Sequence, residues 1–79
     1  MRQTLSVEIP FSPGETVWVM HDNAPRNSVV EHVEVVIRSF HTAPTFRTSV
    51  IYRMKLDNRD RLFDGSLVHG SKAELLASL

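Results

Sequence analysis

The chain has 79 residues, nine Lys and Arg against nine Asp and Glu, and no cysteine. That length holds one domain, residues 1–79, with no room for a second core. The missing cysteines exclude a disulfide and a thiolate metal site and fit a reducing cytoplasm, while the neutral balance works against gripping a phosphate backbone by excess charge.

A chain this short hides only about 60% of its unfolded surface, so good packing or association must supply its stability. Met1 to Pro10 has no apolar leader core. No apolar run approaches the ~20 residues that cross a bilayer. A soluble, cytoplasmic protein with no membrane partner is expected.

Leu5, Val7 and Ile9 alternate with Thr4, Ser6 and Glu8. This predicts a short strand within residues 1–12, either an edge strand or a loose arm, ended by Pro10 and turned at Pro13-Gly14. From Thr16 to His21, Val17 and Val19 share one face and Trp18 and Met20 the other. The valine face is assigned to the core, so Trp18 either packs under a C-terminal helix or stands free for a partner. Asp22 to Asn27 is dense in turn formers and reads as a long polar loop.

The next strand runs from Ser28 to about His41. Val29, Val33, Val35 and Ile37 form its apolar face, with Glu31 the exception; His32, Glu34 and Arg38 lie opposite with Val30, Val36 and Phe40. So long a strand, apolar on both faces, is expected to bend and to serve two parts of a barrel. A turn from Ser39 to Thr45 follows, helped by Pro44. From Phe46 to Leu56, the side chains of Phe46, Thr48, Val50, Tyr52, Met54 and Leu56 point inward; Arg47, Ser49, Ile51, Arg53 and Lys55 point to solvent. Asp57 to Asp60 turns into a short strand, Arg61-Leu62-Phe63; Asp64-Gly65-Ser66 breaks it and Leu67-Val68-His69 resumes.

Ser71 and Glu74 form a capping box for a helix over residues 72–79, with Leu75, Leu76 and Leu79 as its apolar stripe. A helix this short does not persist alone and must dock on the sheet. Together these elements predict a mainly β protein: a small barrel of about five antiparallel strands with a short C-terminal α-helix packed on it.

The order of elements, with the Leu67 to Leu79 stretch L-V-H-G-S-K-A-E-L-L-A-S-L closing it, resembles a group of small bacterial and phage-associated proteins similar in outline to SH3-like barrels. Ser71, Lys72, Glu74, Leu75, Leu76 and Leu79 carry the resemblance, and His69 departs from it where an aromatic follows the valine. It implies an SH3-like fold and phage or prophage origin. The matching residues look structural, so it implies no catalytic role.

Catalytic chemistry has no visible basis. The serines form no nucleophile elbow, three glycines form no phosphate-cradling loop, and His32 with Glu34 supplies two ligands where a metal needs more. No enzyme, metal site or cofactor is expected. The residues that could serve a partner are Trp18, Arg38, Arg47, Ile51, Arg53 and Lys55. An apolar pair, Trp18 and Ile51, rimmed by arginines suits a protein partner. The alternating Arg47, Arg53 and Lys55 suit nucleic acid on a strand face. An open edge and a thin core favour a homodimer in either case.

Overall fold

The computed structural model describes residues 4–41 and 43–79, without the side chains of residues 43–45. The start of the expected N-terminal strand, residues 1–3, and the expected turn residues 42–45 fall partly or wholly outside that description. Strand β1 spans Thr16–His21, β2 Ala24–Phe40, β3 Ala43–Leu56 and β4 Arg59–Asp64. Each pairs antiparallel with the next, giving an open four-stranded sheet in the order β1-β2-β3-β4. A 3-10 turn over Gly65–Leu67 and helix α1 over Lys72–Ala77 end the chain. No helix among the described residues is long and apolar enough to cross a membrane.

Two of the hairpin loops are Asp-Asn pairs. Asp22 and Asn23 have φ of 52° and 60°, Asp57 and Asn58 of 54° and 62°. Two consecutive left-handed residues make the tight turn whose twist matches a hairpin, and Asn and Asp tolerate that backbone better than other non-glycine residues. The polar loop expected over Asp22 to Asn27 is therefore only two residues long. Ala24, Pro25 and Arg26 already belong to β2, opposite His21, Met20 and Val19.

Val17, Val19, Val30, Tyr52, Met54, Leu56 and Val68 form the core, with Phe11, Val33, Val50 and Phe63 packed around them. The valine face of β1 points inward, as expected, and so does the Tyr52-Met54-Leu56 half of β3. On β2 the pattern breaks. The register slips between Val30, opposite Met54, and His32, opposite Arg53. Glu31 is the extra residue of a β-bulge, and a bulge moves the inward-facing positions by one. Before it the even-numbered Val30 is inside at 1% exposure, while Val29, expected inward, is 46% exposed. After it the odd-numbered Val33 packs on the core.

Two further stretches read as strands are not strands among the described residues. Residues 4–9 take no strand pairing; the chain then places the Phe11 ring edge-on to Tyr52, with centroids 5.8 Å apart. Leu67-Val68-His69 contributes a single antiparallel bridge, in which the Trp18 and His69 backbones exchange hydrogen bonds of 2.8 and 2.9 Å. Among the described residues the sheet thus has four strands where about five were expected.

The serine half of the capping box forms as expected, while the returning glutamate bond goes one residue further back, to Gly70. Ser71 Oγ accepts from the Glu74 backbone N–H at 3.1 Å, and Glu74 Oε2 accepts from the Gly70 N–H at 3.3 Å. Of the expected leucine stripe only Leu75 is buried; Leu76 is exposed and Leu79 is 78% exposed. A six-residue helix turns one narrow face to the sheet, so its neighbouring leucines stay in solvent.

The 3-10 turn lies hard against β3. Asp64 Oδ1 accepts from the Ser66 backbone N–H at 3.0 Å and from Ser66 Oγ at 2.8 Å. The backbone bond first, then the hydroxyl bond, holds the Asp64 carboxyl below its ordinary pKa. A Cβ on Gly65 would stand 3.0 Å from the Val50 carbonyl oxygen. Gly65→Ala is expected to lower stability by about 1–3 kcal/mol, the cost of overpacking against backbone that cannot yield. A urea midpoint equal to that of the parent chain would show that the turn does not rest on β3.

Candidate interaction surface

β1 and β4 are six residues each, whereas β2 and β3 run to 17 and 14. The β1 ladder reaches Val29, and Val30 exchanges its last bonds on that side with Gly14 and Glu15. The β4 ladder ends at Ile51 opposite Asp64. Past those points β2 and β3 pair only with each other among the described residues and project as a two-stranded arm. The radius of gyration is 14.7 Å and the longest extent 45 Å; a compact domain of this size would have a radius near 12 Å.

The arm's core-side face carries Val33, Val35 and Ile37 on β2, opposite Tyr52, Val50 and Thr48, with Phe46 opposite Ser39. Val35 and Phe40 are exposed and Ile37 is 52% exposed. Val35 and Ile37, expected inward, thus stay in water. The sheet does not wrap round to cover them, because its outer strands are too short to follow the arm.

The opposite face of β2 and β3, along the arm and the sheet behind it, carries five of the six residues that the sequence singled out. Arg38 and Arg47 stand directly across from each other, and neither has a carboxylate partner among the described residues. Ile51, half-buried, lies between Glu34 on β2 and Asp64 on β4. Arg53 is flanked by His32 and Leu62, and its Nε is buried without a hydrogen-bond partner. Lys55 sits across from Asp60, with Glu31 Oε1 4.0 Å from its Nζ. The expected basic stripe is therefore met by a carboxylate only at Lys55 and interrupted at Ile51, while Arg53, like Arg38 and Arg47, has no ion pair among the described residues. Trp18 is not part of this group. It is half-buried opposite Asn27, at the other end of β2 from Arg38.

No family model matches the chain, nor does any curated protein or solved structure. The functional reading rests on geometry.

One further cluster joins the two Asp-Asn turns. His21 Nε2 lies 3.4 Å from Asp22 Oδ2 and 3.7 Å from Asp57 Oδ2. These three side chains can bring donor atoms within 4.8 Å of one another. Arg26 Nη2, however, donates to both Asp57 oxygens at 3.2 and 3.3 Å. A guanidinium already on that carboxylate repels a second cation, so the cluster reads as an ion-paired clasp between turns. The repeated Asp-Asn dipeptide, each copy directly after a strand, is the signal by which the sequence could have disclosed it. In the other pair considered for a metal, His32 Nε2 lies 3.2 Å from Glu34 Oε1.

Proposed function

We propose that the chain is a non-enzymatic protein-interaction module that engages its partner through the β2–β3 arm. The carrying observation is the arm itself. It exposes Val35, Ile37 and Phe40 on a ribbon that a 79-residue protein would otherwise have little reason to extend. A two-stranded ribbon alone is marginal in water, and exposed apolar surface on such a ribbon gains most from being covered. Arg38 and Arg47 at its tip suit carboxylates on the rim of a partner.

The fold reading that goes with this is a small SH3-like barrel. The Trp18–His69 bridge stands where a fifth strand would close onto β1, which supports it. The resemblance in Leu67 to Leu79 supports a phage or prophage accessory or inhibitor protein working in the cytoplasm. A second reading, a nucleic-acid-binding barrel that uses Arg47, Arg53 and Lys55, draws support from the bare Arg38/Arg47 pair. The neutralised Lys55 and the acidic neighbours of Ile51 favour the protein partner.

Affinity capture from host lysate, with the parent chain and Ile37→Glu side by side, tests the proposal. The expected result is a protein retained by the parent and lost by the variant, with both giving the same strand signal in circular dichroism. Identical captured sets would remove the arm as the contact surface. A DNA or RNA gel shift at low salt that disappears in Arg38→Ala with Arg47→Ala would favour the second reading instead.

A further inference from the structure

We propose that β2 of one copy pairs antiparallel with β2 of a second copy about Val36, joining the two sheets into one. This rests on the arm being the contact surface and names its partner as the chain itself. From Glu31 to Phe40 the β1-side edge of β2 pairs with nothing among the described residues. An open edge is a template for another strand.

Charge selects the register. A two-fold axis normal to the sheet keeps both apolar faces on one side. Residues then stand opposite only if they share a face, which after the bulge means numbers of the same parity. Centred on Val36, Glu34 of each copy falls opposite Arg38 of the other, and Val35 falls opposite Ile37. Centred on Val35, His32 would face Arg38; centred on Ile37, Val36 would face Arg38 and Glu34 would face Phe40. Of these three, only the Val36 register forms two opposite-charge cross-strand pairs, Glu34 with Arg38. It also brings a carboxylate to the Arg38/Arg47 pair, whose like charges oppose each other within one copy. The side-by-side pairing of Val35 and Ile37 extends the apolar face at the same time. A net charge of zero leaves no long-range repulsion between copies.

Sedimentation of the full chain across a concentration series tests this, with Glu34→Arg, Arg38→Glu and the double variant beside the parent. The parent should pass from one copy to two as concentration rises. Each single variant should raise the dissociation constant roughly tenfold or more, since two attractive pairs become repulsive. The double variant reverses both charges and should recover the parent's association. A parent that sediments as one copy at every concentration overturns the proposal. So do single variants that associate as the parent does, or a double variant that fails to recover. Loss of a captured heterologous protein in Ile37→Glu, with the parent always one copy, overturns self-pairing but leaves the arm as contact surface. Unchanged capture in that variant removes the arm reading itself.

Discussion

Tyr52→Ala is expected to remove most of the protein's stability. A domain of 79 residues holds about 4–12 kcal/mol in total. Tyr52 has no exposed surface and is among the largest fully buried side chains. It reaches across from β3 to the Phe11 ring, and its hydroxyl accepts from the Phe11 backbone N–H at 3.4 Å. Truncating a buried aromatic to alanine costs about 3–5 kcal/mol, part lost transfer energy and part cavity. The N-terminal segment loses its anchor with the ring, so relaxation around the cavity should expose Phe11 instead of healing the core. Tyr52→Phe keeps the ring and gives up one long hydrogen bond, at about 1 kcal/mol or less. Urea unfolding followed by circular dichroism separates the two. A Tyr52→Ala midpoint close to that of Tyr52→Phe would mean that the ring does not hold the core.

Tyr52 shows where alternation in the sequence speaks clearly. On β1 and on the inner half of β3, two short apolar sets face a single core, and period two is enough to assign the faces. The helix cap was equally legible, because Ser71 and Glu74 act on backbone groups within one turn. Leu5, Val7 and Ile9 misled for a physical reason. Alternation says which way a side chain would point in a strand, but a strand exists only if an edge receives it. Glu8 and Pro10 instead border a groove with Val50, Tyr52 and the 3-10 turn. The arm was hidden by a related gap. Val35 and Ile37 look like core residues until the lengths of the flanking strands are compared with β2 and β3. Six residues of β1 and six of β4 do not cover seventeen and fourteen. Of the candidate surface, residue choice on the outer face was legible in the period of β3. Its partial neutralisation was not, because that depends on which strand lies next to Lys55 and Ile51.

Val30→Asp should unfold the chain, whereas Val29→Asp should leave it folded. An unbroken alternation running back from Val33, Val35 and Ile37 puts Val29 inside and Val30 outside, and so expects the reverse. The bulge at Glu31 decides between them. It sets two β2 residues against one on β3, so Val30 meets Met54 inside while Val33 still meets Tyr52 inside two register steps on. A carboxylate at Val30 would be sealed in the core that holds Val17, Val19 and Met54, where no charged residue is buried among the described residues. The cost of an unpaired buried charge is about 3–5 kcal/mol even after relaxation, comparable to the whole stability of so small a domain. At Val29, nearly half exposed, the same carboxylate stays hydrated, and the change should fall within about 1 kcal/mol. Removing Glu31 outright follows the same logic. It restores a regular ladder with Val30 and Val33 both still inward, so the core survives and only the local twist is lost. Thermal melts of the three variants read this directly. A stable Val30→Asp beside an unfolded Val29→Asp would place the inward face on the odd residues throughout, and with it would go the register on which the free edge of β2 depends.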